Sequence, residues 1–81
     1  MAEHPSAELL DYLVRRLVDE PQAVRVDAVE REGATVLELH VAPADVGKVI
    51  GRQGRVARAL RTVVRASAAR ERERVLLEIV E

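Results

Sequence analysis

The spacing of apolar residues along the chain alternates between helical and extended periods. In the first segment, apolar side chains recur every three or four residues, which predicts an amphipathic helix over about residues 6–19. The apolar stripe of this helix consists of Leu9, Leu10, Leu13, Val14, Leu17 and Val18. Pro21 ends the predicted helix, because proline disfavours helical backbone in the residue before it.

The segment over about residues 23–41 alternates between apolar and polar side chains. Val24 and Val26 share one face of its first half, and Leu37 and Leu39 share one face of its second half. The two halves flank a short turn at Gly33, where glycine can adopt positive φ without strain. This pattern predicts an antiparallel β-hairpin.

Residues 43–70 return to helical spacing, interrupted by Gly51 and Gly54. They predict a short helix, a tight turn and a longer helix that begins at about Gly54. The predicted inner face of the longer helix consists of Val56, Leu60, Val63, Val64 and Ser67. A last alternating segment over about residues 74–80 predicts a third strand.

The predicted order is helix, strand, strand, helix, helix, strand, in one domain spanning residues 1–81. Three strands with one apolar face need a cover, so we predict an α+β two-layer sandwich in which three helices cover a three-stranded mixed sheet. The two-helix connection makes the second and third strands parallel, with a right-handed crossover. The second strand then lies at the centre of the sheet, antiparallel to the first.

The composition excludes several kinds of site. The chain has no cysteine, tryptophan or phenylalanine, and Tyr12 is its one aromatic residue. Disulfides and thiolate metal sites are therefore excluded, and the aromatic platforms on which many proteins stack bases are missing. The two histidines, His4 and His40, stand in no catalytic or metal-binding spacing, so we predict no catalytic residue, no metal, no cofactor and no enzymatic activity. No leader pattern and no apolar run of about 20 residues is present, which predicts a cytoplasmic protein that does not enter membranes.

The net charge of −1 conceals a division of the chain. Residues 1–45 carry four basic and ten acidic side chains, whereas residues 46–81 carry nine basic and four acidic ones. Seven basic residues follow Asp45 before the next acid, Glu71. Such asymmetry indicates an anionic partner for the basic half, although a solvated helix face is the alternative.

The basic half surrounds the sequence VIGRQG at residues 49–54. A phosphate-binding P-loop is excluded because Gly47 and Lys48 are followed by valine, and the dinucleotide-binding glycine pattern does not fit the spacing. The turn lies between two helices, at the positive end of the second helix dipole. We therefore predict a cradle for consecutive phosphates of a single strand, with Arg52 and Gln53 at its tip.

At these residues the chain resembles the KH domain, whose signature is [I/V]-I-G-x-x-G. The element order is similar to type II KH domains, and PADVGKVIGRQGRVARALRTVV resembles the KhpA family of small bacterial KH proteins. The resemblance implies binding of single-stranded RNA, with the backbone clamped by Gly51, Arg52, Gln53 and Gly54. The predicted RNA-binding residues are Lys48, Ile50, Gly51, Arg52, Gln53, Gly54, Arg55 and Arg58. The predicted apolar floor, between the two helices and the central strand, consists of Val46, Val49, Ile50, Val56 and Leu39.

The resemblance also implies an RNA chaperone that forms a homodimer or a heterodimer with the KH protein KhpB (Jag/EloR), and a link to cell-wall homeostasis and cell length. The alternative is a dimerisation module of the same fold with little RNA binding. Candidate surfaces for dimerisation are the outer sheet face and the longer helix. Their apolar residues are Val36, Leu76 and Val80 on the sheet and Val63, Val64 and Ala68 on the helix.

Overall fold

The computed structural model describes residues 4–70 and 72–81. Within them the chain forms three α-helices and three strands, in the order predicted. The helices are α1 (Pro5–Arg15), α2 (Val46–Ile50) and α3 (Arg55–Arg70), and the strands are β1 (Arg25–Arg31), β2 (Ala34–His40) and β3 (Val75–Ile79). Three short 3-10 turns lie at Pro21–Ala23, Pro43–Asp45 and Arg52–Gly54. No helix of the described residues is long and apolar enough to cross a membrane.

The sheet has the strand order β1-β2-β3. β1 and β2 pair in antiparallel fashion, with Val29 opposite Val36, and β2 and β3 pair in parallel, with Val36 opposite Leu76. The predicted α+β class, the mixed three-stranded sheet and the central position of the second strand are therefore confirmed. Among the strands of the described residues, β3 is therefore an edge strand, paired on one side only.

The core lies between the inner sheet face and the helices. Its most buried side chains come from α1, β2, α2 and α3: Leu10, Val14, Leu37, Leu39, Val49 and Val64. These side chains are aliphatic, and burying each contributes about 1.5–3 kcal/mol relative to leaving it exposed. Ser6 and Ser67 form a hydrogen bond between α1 and α3 with an Oγ–Oγ distance of 3.2 Å, which satisfies the buried Ser6 hydroxyl.

Helix α1 ends at Arg15, four residues before the end predicted from the apolar stripe. The backbone N–H groups of Leu17 and Val18 still donate to the carbonyl of Val14, but those of Asp19 and Glu20 donate to the Asp45 carboxylate instead of to helix carbonyls. The Arg15 guanidinium donates to the carbonyls of Pro21 and Val24, which holds the following segment against the end of the helix. Tertiary hydrogen bonding thus overrides the helical period in this segment.

The buried face of α3 differs from the predicted one. Ala57, Leu60, Val64 and Ala68 are buried, whereas Val63 is 38% exposed, so the prediction that Val63 points inward is wrong. Two of the four buried positions are alanines, which let the helix approach the sheet closely and carry little weight in a hydrophobicity pattern. The inner face predicted from the apolar pattern is therefore rotated about the helix axis, away from the buried Ala57 and Ala68.

Candidate nucleic-acid interface

The turn formed by Gly51, Arg52, Gln53 and Gly54, here called the glycine turn, joins α2 to α3. α2 ends where the Gly51 N–H donates to the Gly47 carbonyl at 2.9 Å. The Gly54 N–H then donates to the Gly51 carbonyl at 3.1 Å, and the Arg55 N–H donates to the Arg52 carbonyl. The turn is therefore closed by its own backbone before any ligand binds.

Gly51 is required by both its conformation and its surroundings. Its φ of 77° and ψ of 170° fall in a region that is essentially restricted to glycine. A Cβ on Gly51 would lie 2.8 Å from the backbone nitrogen of Val56 and would overlap the Val56 side chain. The first turn of α3 is thus packed directly against Gly51, which fixes the angle between the two helices.

Arg52 and Gln53 form the exposed tip of the glycine turn. Within the described residues, neither side chain makes a hydrogen bond or an ion pair. Gln53 adopts a left-handed conformation with φ 57° and ψ 26°, and its carbonyl accepts a hydrogen bond of 3.0 Å from Arg58 Nη1. Arg58 therefore holds the backbone of the tip in place, while the tip side chains remain available to a ligand.

An open cleft of about 380 Å³ runs from the glycine turn along α3 to the edge strand β3. One wall carries Ile50 and Gly54 together with Ala57, Arg58 and Arg61 of α3. The other wall consists of Leu77, Glu78, Ile79 and Glu81. The cleft is open to solvent and bordered by a strand edge, which suits an extended chain rather than a compact small molecule.

The predicted floor of this cleft needs correction. Leu39 and Val49 are fully buried, and Val56 lines a separate depression beside Leu17. Of the predicted floor residues, only Ile50 lines the cleft. The central strand β2 is flanked on both sides, so its inward side chains belong to the core, and the edge strand β3 supplies the opposite wall instead.

The basic residues of the two halves of the chain differ in how their charge is compensated. Arg15, Arg25 and Arg31 form ion pairs with Asp11, Asp27 and Glu38, at 3.0–3.1 Å. Five arginines at and after the glycine turn form none with any described residue. This arginine cluster consists of Arg52, Arg55, Arg58, Arg61 and Arg65. Its charge is available for an anionic ligand, whereas three of the four arginines before the turn are already paired and the fourth, Arg16, lies over the Tyr12 ring.

The structure separates the predicted site residues into two groups. Ile50, Gly51, Arg52, Gln53, Gly54 and Arg58 lie at the turn or in the cleft. Arg55 lines the depression on the other side of α3, next to Leu17 and Val56. Lys48 pairs with Asp19 at 3.3 Å and with Asp45 at 3.7 Å, so its charge is shared with two carboxylates.

Arg61 and the β3 residues of the cleft are not among the site residues predicted from the sequence. Arg61 follows Gly54 and Arg58 at helical spacing, so a helical projection starting at the glycine turn would have found it. Leu77, Glu78, Ile79 and Glu81 could not be found in this way, because their place beside the turn depends on the parallel pairing of β2 and β3.

Asp45 anchors the entry to α2. Its carboxylate is 1% exposed, and its two oxygens accept hydrogen bonds from the backbone N–H groups of Asp19 and Glu20, at 3.2 and 3.1 Å. These bonds tie the start of α2 to the segment after α1. The sequence gives no spacing signal for this contact, since its partners are backbone groups 25 and 26 residues away.

Comparison with known proteins identifies the family. The family model described as "KhpA/KhpB, KH domain" matches residues 7–79, which include all three strands and the glycine turn. The chain belongs to this family. The resemblance inferred from VIGRQG and from the element order is thereby confirmed. The KhpA/KhpB KH domain is a non-enzymatic RNA-binding class, as the lack of catalytic spacings predicted.

Curated members of the KhpA/KhpB family align with nearly the whole chain. A protein of Clostridium acetobutylicum named "RNA-binding protein KhpA" is 51% identical over 73 residues, covering 90% of this chain and 97% of that protein. Proteins of the same name from Treponema pallidum and Borreliella burgdorferi are 51% and 49% identical over 74 residues. They cover 91% of this chain and 92% and 90% of their own lengths.

Proposed function

We propose that this protein binds single-stranded RNA in the cytoplasm and acts as an RNA chaperone or post-transcriptional regulator, clamping the RNA backbone with the glycine turn. The observation that carries the proposal is that Arg52, Arg58 and Arg61, unpaired among the described residues, lie at a rigid turn and along the open cleft that begins there. Family membership and the names of the curated relatives support the same ligand.

The phosphates of the strand would contact the tip of the turn. Arg52 offers charged donors and Gln53 offers a neutral amide, and charge-assisted hydrogen bonds are the stronger of the two kinds. The sixteen-residue helix α3 begins at Arg55, so the positive end of its dipole faces the same place. A glycine turn without side chains at two of four positions lets the RNA backbone approach closely.

The bases would lie in the cleft against β3. The carbonyl of Arg74 accepts from the Thr35 N–H, and the Val80 N–H donates to the Leu39 carbonyl. Residues that bond to a parallel neighbour alternate with residues whose backbone groups point away. Leu77 and Ile79 therefore direct an N–H and a C=O away from β2, toward the cleft, where base edges can reach them.

The affinity should depend strongly on salt, because no aromatic side chain stacks on the bases in this cleft. If about three phosphates are neutralised, the logarithm of the binding constant falls with the logarithm of the salt concentration with a slope of roughly −2. Titrations at several salt concentrations measure this slope.

The test of the clamp is the double variant Arg52→Asp/Gln53→Asp. It replaces a cation and an amide by two carboxylates at the tip, so single-stranded RNA binding should be lost while the circular dichroism spectrum is retained. The matched control is Arg16→Asp/Gln22→Asp, which makes the same charge change at two exposed positions before the hairpin. If the tip variant binds RNA as tightly as the control does, the clamp is assigned to the wrong residues.

We further propose that the protein pairs with a second KH chain, either another copy or KhpB (Jag/EloR), and that this pair links RNA binding to cell-length control. Of the candidate residues, Val36, Val64 and Ala68 are buried and so cannot contribute. The favoured surface is the depression on α3 lined by Leu17, Val56, Ala59, Leu60 and Val63 together with Arg55. Leu17 is 44% and Val63 38% exposed, which leaves aliphatic area for a partner to cover.

The test of pairing compares two single charges on different apolar surfaces. Val63→Glu should convert a dimer to a monomer in sedimentation experiments, since a carboxylate would be buried without a partner. Val80→Glu, on the outer sheet face, should leave the mass unchanged. If Val80→Glu gave a monomer and Val63→Glu did not, the interface would lie on the outer sheet face. A wild type that is monomeric and also fails to bind KhpB would contradict pairing altogether.

A further inference from the structure

The two walls of the cleft carry opposite charges. Arg58 and Arg61 lie on the α3 wall, and Glu78 and Glu81 lie on the β3 wall. Within residues 4–70 and 72–81, neither glutamate has a hydrogen-bond or ion-pair partner, and no ion pair crosses the cleft. Glu78 shares the outer sheet face with Glu38, so it borders the cleft at its rim, and neither glutamate neutralises an arginine of the other wall. The space between the walls therefore suits a ligand that is itself polarised from one edge to the other.

Glu78 lies beside another carboxylate in the sheet, and the repulsion between the two is not compensated. Its Cα pairs directly with that of Glu38, and Glu38 pairs with Asp27, so three carboxylates lie in one row across the three strands. Arg31 neutralises Glu38 and Arg25 neutralises Asp27. Like charges opposite each other on neighbouring strands are destabilising, and no described cation compensates Glu78. A glutamate at the cleft therefore has no evident role in stability.

A single strand of RNA has phosphates along one edge and bases along the other. With its phosphates on the arginine wall, its bases meet the glutamate wall. An ionised carboxylate only accepts hydrogen bonds, so it can bind the exocyclic amino group of cytosine, adenine or guanine. Uracil has carbonyl oxygens and no exocyclic amino group, and a carboxylate repels a carbonyl oxygen. The one donor on its pairing edge, the N3–H, lies between two such oxygens.

We propose that Glu78 and Glu81 are specificity-determining residues that select bases bearing an exocyclic amino group over uracil. This inference rests on the proposed RNA-binding function and adds a base preference to it. The unpaired glutamates at the strand edge define which base edge is accepted, while the arginine cluster contributes affinity that is independent of sequence.

The experiment measures fluorescence anisotropy with labelled oligoribonucleotides of about eight residues made only of cytidine, adenosine or uridine. The wild type should bind the cytidine and adenosine strands about threefold to tenfold more tightly than the uridine strand, as expected for one hydrogen bond to a charged, partly solvated group. In the double variant Glu78→Gln/Glu81→Gln the preference should vanish, chiefly because binding of the uridine strand improves.

The control variant Glu20→Gln/Glu32→Gln removes the same charge at exposed positions outside the cleft and should keep the wild-type preference. Removing two negative charges also lowers general repulsion of phosphates, so the decisive quantity is the ratio between strands. If the cleft variant binds all three strands more tightly by the same factor, the glutamates merely repel the backbone and the proposal is overturned. A wild type that binds all strands equally overturns it too, whereas a wild type that binds none of them refutes the proposed function as well.

Discussion

Two of the turns in the chain combine a glycine with a non-glycine residue at positive φ, and the two turns have different roles. The hairpin turn, Glu32 and Gly33, has φ values of 51° and 80°. The glycine turn has φ values of 77° at Gly51, 57° at Gln53 and 74° at Gly54. Each turn therefore places one non-glycine residue in the left-handed region next to a glycine, which is a strained arrangement for an L-amino acid.

The turns differ in what surrounds them. A Cβ on Gly33 would meet no atom within 4 Å, whereas a Cβ on Gly51 would overlap Val56. Beside the hairpin turn, Arg31 is paired with Glu38, whereas Arg52 is unpaired among the described residues. The hairpin turn thus only joins two strands, while the glycine turn is held by α3 and presents free charge. Rigid support combined with exposed, uncompensated polar groups distinguishes a binding turn from a connecting one.

The largest effect on stability should come from replacing Gly51, the glycine that packs against α3. Gly51→Ala combines a glycine-only conformation with a clash against the backbone of α3, so we expect the free energy of unfolding to fall by about 3–5 kcal/mol. Gly33→Ala adds only the strain of positive φ and should cost about 1–2 kcal/mol. Urea denaturation of both variants gives the two values. Equal losses would mean that α3 gives way to the added Cβ and that the glycine turn is no better supported than the hairpin.

The next effect concerns Asp45, which anchors the start of α2, the helix that leads into the glycine turn. Asp45→Ala would leave the N–H groups of Asp19 and Glu20 without their acceptors in a buried place and free Lys48 from one partner. We expect a loss of about 2–4 kcal/mol, together with weaker RNA binding because the start of α2 is no longer fixed. Thermal or urea denaturation and anisotropy measure the two quantities.

The control for this prediction is Asp19→Ala, which removes the more exposed carboxylate near Lys48. Its ion pair is a surface one, so the cost should stay below about 1 kcal/mol. Should Asp45→Ala lower stability without affecting RNA affinity, Asp45 would serve the fold and leave the glycine turn unaffected.

The glycine turn could be predicted from the sequence, but several contacts around it could not. The glycine turn and its basic surroundings were predicted because a short motif, a charge division and two helical patterns coincide within about thirty residues, close to the size of a supersecondary unit. The β3 wall of the cleft and the role of Asp45 were missed, because each depends on contacts between distant segments. The rotated face of α3 was missed for a different reason, since its buried alanines resemble neutral positions.

The smallest effect should come from relaxing the strained residue at each tip. Gln53→Gly and Glu32→Gly remove the cost of a left-handed L-residue but add flexibility to the unfolded chain, so each should change the free energy of unfolding by less than about 1 kcal/mol. At the hairpin turn, Glu32→Gly should leave RNA binding unchanged. At the glycine turn, RNA binding should weaken by about twofold to fivefold, because the tip loses a donor and some of its preorganisation.

These two substitutions separate a binding turn from a connecting one without disturbing either fold. Anisotropy with one RNA strand gives the affinity of both variants, and urea denaturation confirms that their stabilities match. An unchanged affinity for Gln53→Gly would show that the strained conformation at the tip comes from the short connection between α2 and α3 alone. A weakened affinity at equal stability would show that Gln53 contributes to RNA binding, through its amide donor and its fixed backbone together, while Glu32 at the hairpin turn does not.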